Sequence, residues 1–180
     1  VKPGRSRESK GNRPKDDQPK EHRPEATHAP EGFLIAVATP RDRLDVLRIV
    51  DAAMLEIDVD SLDERIDAGD VFVARIESTD TVVGALTIER PGPREAAIEA
   101  VAVRRERRGR GIGSTLVARA VRTLASEPTV GRITATFDPS LMAFYTDLGF
   151  AIVNEQPGEA SKDSEESHLY AEWTTGDASQ

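Results

Sequence analysis

The chain contains no cysteine, which excludes disulfides, thiolate-held metals and any acyl intermediate carried on a thiol of the protein. Long apolar runs are missing too. Stretches such as Phe33 to Ala38 fall far short of the ~20 residues that span a bilayer, and no charged-then-apolar signal segment opens the sequence. The expectation is a soluble, cytoplasmic protein with no membrane partner. Lysine is scarce: of 24 basic residues five are lysine, and Lys162 alone falls after residue 31.

Residues 1–31 lack isoleucine, leucine, phenylalanine, tyrosine and tryptophan and are crowded with Pro, Lys, Arg, Asp and Glu. Such a segment cannot bury enough surface to offset the entropy of ordering, so a disordered N-terminal tail is expected there. One domain over 32–175 and a short C-terminal tail at 176–180 account for the remainder of a 180-residue chain. The tail holds eight Lys or Arg against six Asp or Glu, leaving 16 against 26 beyond it, a net of −10. This acidic, lysine-poor balance resembles proteins of salt-loving organisms, in which salt relieves self-repulsion. A GC-rich genome that favours arginine codons would give the same bias.

Periodicity yields alternating elements. Phe33 to Ala38 reads as a strand and Pro40 to Leu55 as a helix with Val46, Leu47, Val50 and Met54 on one face. A short helix over Ser61 to Ala68 precedes β-rich runs at Val71 to Ile76 and Thr81 to Glu89, joined as a hairpin. Ala97 to Val103 is a further strand, and its Arg-Gly loop opens into a helix over Gly111 to Ser126. Then come a strand at Arg132 to Phe137, a helix at Ser140 to Leu148 closed by Gly149, and strands at Phe150 to Val153 and His168 to Trp173. Between the last two, Glu155 to Ser167 reads as an acidic loop.

The chemistry is concentrated in Arg104 to Ser114, RRERRGRGIGS. Gly109, Gly111 and Gly113 permit positive φ or close approach to an anion, and the free amides at the start of the following helix point to the same place, which makes a pyrophosphate site. A dinucleotide-binding loop would need glycine where Ser114 stands, and the Gly-Lys-Ser/Thr of a triphosphate loop is absent. The arginines here also suit a nucleic-acid module, but a net of −10 repels polyanions, so no nucleic-acid partner is expected.

In these residues the chain resembles the GNAT superfamily of N-acyltransferases, whose signature of Arg or Gln, two residues, Gly, one residue, then Gly or Ala is met by Arg108, Gly111 and Gly113. A second signature resembles Ala143-Phe144-Tyr145-Thr146-Asp147-Leu148-Gly149-Phe150. The resemblance covers roughly Phe33 to Trp173. It implies an α/β fold with a mixed, mostly antiparallel sheet, helices on both faces, and a fourth and fifth strand that splay at a bulge. It also implies an acetyl-CoA-dependent N-acetyltransferase without a metal. Arg108, Gly109, Arg110, Gly111, Ile112, Gly113 and Ser114 would hold the CoA pyrophosphate, and backbone groups of Val101 and Val103 would pair with the pantetheine arm.

The resemblance gives Tyr145 the place of the phenol that protonates departing CoA. Glu99 lies on the strand that would face the acceptor, alternation puts it on the face of Val101 and Val103 where no bulge changes the parity, and a carboxylate there suits removal of the amine proton, directly or through water. Water chains or a backbone carbonyl are the alternative base, with Glu99 then a strand carboxylate satisfied by a neighbouring Arg, and the Val101 amide is the expected oxyanion donor. A GNAT-like domain that only senses acyl-CoA would keep the loop and dispense with Tyr145. The family often carries Asn seven residues before the tyrosine; Asp138 stands there, suited to capping the next helix. The acceptor would approach past Glu56, Asp58, Asp60, Asp63, Glu64 and the run Glu159 to Glu166, which suits a protein lysine, a protein N-terminus, a polyamine or another small amine. A monomer or a homodimer is expected.

Overall fold

A computed structural model describes residues 29–153 and 168–174. Most of the expected N-terminal tail, the acidic loop Glu155 to Ser167 and the C-terminal tail lie outside the described residues.

Seven strands form one sheet: β1 (Phe33–Val37), β2 (Val71–Ile76), β3 (Thr81–Gly92), β4 (Glu95–Val103), β5 (Arg132–Phe137), β6 (Ala151–Val153) and β7 (Leu169–Thr174), in the order β1-β2-β3-β4-β5-β7-β6. All neighbours are antiparallel except β4 and β5. Helices α1 (Arg43–Asp51) and α2 (Leu62–Ala68) cover one face, where Val46, Ile49, Leu62 and Ile66 meet Val71, Val73, Ala85, Ala100 and Ala102. Helices α3 (Ile112–Ala125) and α4 (Met142–Asp147) cover the other, where Ile112, Leu116, Val121, Leu124 and Tyr145 meet Phe72, Leu86, Ile88, Ile98 and Phe137. The expected fold class is therefore the observed one. Side chains such as Leu116, fully buried, each contribute about 1.5–3 kcal/mol by leaving water.

The first helix is shorter than its periodicity suggests. Pro40–Asp42 is a 3₁₀ turn, and α1 stops at Asp51. Its end is a Schellman-type cap: the Leu55 amide reaches back to the Val50 carbonyl, and Met54 takes the left-handed φ of 55° between them. Gly69 and Gly149 do the same job after α2 and α4, with φ of 82° and 87°. Methionine gives no sequence signal for such a stop, so the apolar spacing carried the expected helix to Leu55, past its end at Asp51.

Strands β3 and β4 are longer than the expected Thr81 to Glu89 and Ala97 to Val103, β3 running to Gly92 and β4 starting at Glu95. Their register shifts between Thr87 and Ile88, which face Ala100 and Ile98, so Glu99 is the extra residue of a β-bulge. The bulge reverses the parity of β4. Ala96 and Ile98 before it and Val101 and Val103 after it all face the α3 side, while Ala100 and Ala102 face α1.

Candidate functional site

The parallel pairing of β4 with β5 covers only Glu95 to Ile98 against Arg132 to Ala135. From Glu99 onward β4 has no strand partner on that side among the described residues, and β5 continues with β7 as far as Phe137. The sheet therefore opens into a V at the bulge. A cleft of about 500 Å³ runs along the free edge of β4.

One end of the cleft is the loop after β4. Gly109 and Gly111 have φ of 74° and 77°, and Gly111 is the N-cap of α3 without any side-chain cap. The amides of Ile112, Gly113 and Ser114 begin the helix and have no intrahelical acceptor, since the first bond back is from Thr115 to the Gly111 carbonyl at 3.0 Å. They carry the positive end of a 14-residue helix. Arg108 anchors the loop by donating from Nε to the Val103 carbonyl at 3.0 Å. The chemistry of this donor set fits a diphosphate, and Arg107 and Arg108 on the same wall add positive charge.

Val101, Val103, Arg108, Gly109, Gly111, Ile112, Gly113, Ser114 and Tyr145 all line this cleft. Ile112 contributes its backbone, its side chain being buried in the core. Two other candidates do not line it. Arg110 lies outside the wall, and so does Glu99, which the bulge turns toward the α2 side of the sheet. There its carboxylate forms an ion pair with Arg65 and accepts from Thr87 Oγ1 at 2.9 Å and from the Asp58 amide at 3.3 Å.

Tyr145 comes from the middle of α4. Its ring stacks on Phe137 at 4.1 Å and meets Phe144 and Phe150 edge-on. Burial pushes its pKa up to about 12, so the phenol keeps its proton at neutral pH. No other described residue takes a hydrogen bond from that hydroxyl. Asp138, before α4, accepts from the Ser140 amide at 2.8 Å, and its bonds to Ser140 hold its carboxyl below the usual carboxylate range. It thus caps the turn that leads into α4.

Sequence reasoning missed Ala53 and Leu55 beyond α1, Ala102, Arg107, and Leu141 and Phe144 beside the tyrosine. Leu141 and Phe144 precede Tyr145 by four residues and one, so helical geometry could have flagged Leu141, and adjacency Phe144. Ala53 and Leu55 carried no such signal, because they reach the cleft only through the cap at Met54. Among the described residues no cluster of acidic or histidine side chains could hold a metal, and no helix is long and apolar enough to cross a membrane.

Comparison with known proteins places these features in context. The model of the Acetyltransferase (GNAT) family matches residues 44–150. A serotonin N-acetyltransferase of Mesocricetus auratus is 40% identical over 68 residues, which is 38% of this chain and 33% of that protein. The match thus spans about a third of that relative's length. Among solved structures, Rv2747 of Mycobacterium tuberculosis, in complex with CoA and NLQ, superposes with a TM-score of 0.64 at 18% identity, over 78% of this chain and 98% of that one. An Arabidopsis thaliana protein bound to the bisubstrate analogue CoA-Ac-MVNAL superposes with a TM-score of 0.62 at 16% identity, over 79% and 99% of the two chains. At these identities the two structures establish the shared fold.

Proposed function

The chain belongs to the acetyltransferase (GNAT) family, and from that premise we propose that it binds acetyl-CoA along the free edge of β4 and transfers the acetyl group directly to an amine. One observation carries the reading: the uncapped amides of α3 and the phenol of Tyr145 stand on the wall of one cleft, at the place where β4 parts from β5. In the solved relative that holds CoA-Ac-MVNAL, cofactor and acceptor are joined in one ligand, as direct transfer requires.

The amides of Ile112 to Ser114 and the flanking glycines hold the diphosphate. The backbone of Val101 and the Val103 amide, on the free edge of β4, align the pantetheine arm as an added strand, while the Val103 carbonyl stays with Arg108; the Val101 amide faces the thioester oxygen. The lone pair of the neutral amine attacks the carbonyl carbon, the C–S bond breaks, and the thiolate takes a proton from Tyr145. A phenol with a pKa of about 12 is a weak donor to an ordinary thiolate, but a thiolate expelled into the same apolar cleft is desolvated too, and its proton affinity rises with it. Tyr145 separates this reading from an acyl-CoA sensor, which has no use for a proton donor.

Glu99 serves as a positioning residue in this scheme. Three donors engage its carboxylate, so it ties the bulge to α2 and to the segment that carries Leu55; the surplus amine proton leaves to water, and water returns a proton to the Tyr145 phenolate.

The test is thermal. Acetyl-CoA at a hundredfold excess over its Kd should raise Tm by about 5–10 °C. Gly111→Asp should abolish that rise, because its carboxylate faces the diphosphate; aspartate tolerates a left-handed φ better than most residues, which favours a folded variant. Gly113→Asp serves as a companion, since a Cβ there meets only ordinary contacts at 3.8 Å from Phe144 and Val103. Folded variants that keep the full shift would sink the loop assignment.

A further inference from the structure

Among the described residues the wall of the cleft is apolar at Leu55 and Leu141, and the expected acidic run Glu159 to Glu166 lies outside those residues. Eight large apolar residues are exposed among the described residues, and four of them form two sequential pairs, Met54–Leu55 and Leu141–Met142. Leu55 and Leu141 both line the cleft, although 39% and 45% of their surface is open to solvent. Isolated exposed leucines are ordinary, but two on the wall of one cleft form a surface that something apolar can cover.

Three further observations point the same way. Leu55 is also the shared wall of a second hollow, about 380 Å³, lined by Leu47, Val50, Ile57 and Val59 beside Asp51 and Glu56. The Asp58 amide bonded to Glu99 ties the segment after Leu55 to β4 at its bulge. Met54 takes a φ of 55° that glycine would adopt without strain, and yet it is 92% exposed, so no packing among the described residues explains a methionine there.

Charge argues against a polycation. No carboxylate lines the cleft among the described residues, and its charged wall residues are Arg107 and Arg108. Asp63 is bridged to Arg43 at 2.7 Å, and Asp58 turns back to accept from the Asp60 amide at 3.1 Å. Asp63 and Asp58 are thus engaged outside the cleft.

Resting on the acyl-transfer reading, we propose that the acceptor is a primary amine carrying an apolar group of about leucine to phenyl size next to the nitrogen, which docks on Leu55 and Leu141. An N-terminal apolar residue of a peptide and an arylalkylamine share this chemistry.

Thiol release from acetyl-CoA tests it with four acceptors: phenethylamine, a short peptide beginning with leucine, the same peptide beginning with glycine, and spermidine. The apolar amines should exceed their partners about 10- to 100-fold in kcat/KM, the discrimination that a leucine-sized contact provides; which of the two leads identifies the source. Leu55→Asp should erase that preference while leaving the Kd for acetyl-CoA unchanged. Met54→Gly should keep or raise Tm and still weaken the preference, which separates recognition from folding. Preference for spermidine would overturn the proposal. So would a Leu55→Asp protein that loses acetyl-CoA affinity with its preference intact, since the apolar wall would then belong to the pantetheine arm. Absence of thiol release with all four amines would overturn the transfer reading itself, and the acceptor class with it.

Discussion

The ring of Tyr145 stacks on Phe137 and meets the edges of Phe144 and Phe150. Burial among three aromatic rings raises its pKa to about 12, so the unfolded chain ionises its phenol first, near ~10. Stability is therefore untouched at neutral pH and declines only as pH climbs from the unfolded value toward the folded one. Tyr145→Phe should lower kcat by about 10²- to 10⁴-fold, the range for a general acid, with little change in acetyl-CoA Kd. The loss should be the same at pH 7 and pH 9, because the phenol is protonated at both. Wild-type turnover in a folded variant would reduce Tyr145 to a packing residue. In the same pH series Glu99→Gln should raise the acceptor KM and leave the acidic limb of the kcat profile in place; disappearance of that limb would make Glu99 the base. The face of Glu99 was not legible, because alternation along β4 puts it with Val101 and Val103, and only the cross-strand register against Thr87 and Ile88 reveals the bulge.

At the level of elements, most of the sheet and the long α3 were readable, because alternation and 3.6-residue periodicity are local properties of the chain. What escaped reading depended on contacts between distant residues: the splay after Ile98, the cap at Met54, and the fit of α3 on β3. That fit is close at Gly84. A Cβ there would lie 3.1 Å from Leu116 Cδ1, 3.3 Å from Ile112 Cγ2 and 3.3 Å from the Ala102 carbonyl oxygen. The leucine can turn away, but the carbonyl belongs to β4 and cannot. Gly84→Val should therefore cost about 1–3 kcal/mol by overpacking, seen as a lower midpoint in urea. Because Ile112 opens α3, the displacement should also tilt the amides of the cofactor loop and weaken acetyl-CoA binding. Gly92→Val, where nothing stands within 4 Å, is the control. Equal stability of the two variants would mean that α3 does not rest on β3 as described.

For the whole molecule the governing quantity is charge. The chain carries a formal net of −8, and the part after residue 31 a net of −10. Salt acts on it in two opposing ways. It weakens exposed pairs such as Arg41–Asp80, Arg43–Asp63 and Arg48–Asp45, each worth about 0–1 kcal/mol at most. It also relieves the repulsion among the surplus carboxylates, as the Debye length shrinks to ~3 Å at 1 M. The buried pair of Asp42 and Arg75, with side chains 3% and 7% exposed, is largely shielded from either effect. Burial alone would raise the Asp42 pKa, but the bonds from Arg75 and Thr39 outweigh it and hold the carboxyl below its usual range. Its contribution is therefore present above ~pH 4 and lost as pH falls through the folded value. With ten surplus charges set against a few weak pairs, repulsion outweighs attraction at the surface. Tm at pH 7 should then rise steadily from low salt to molar KCl. A Tm that stays flat or falls would show that the exposed pairs dominate, and the acidic composition would then reflect codon bias, with no adaptation to salt.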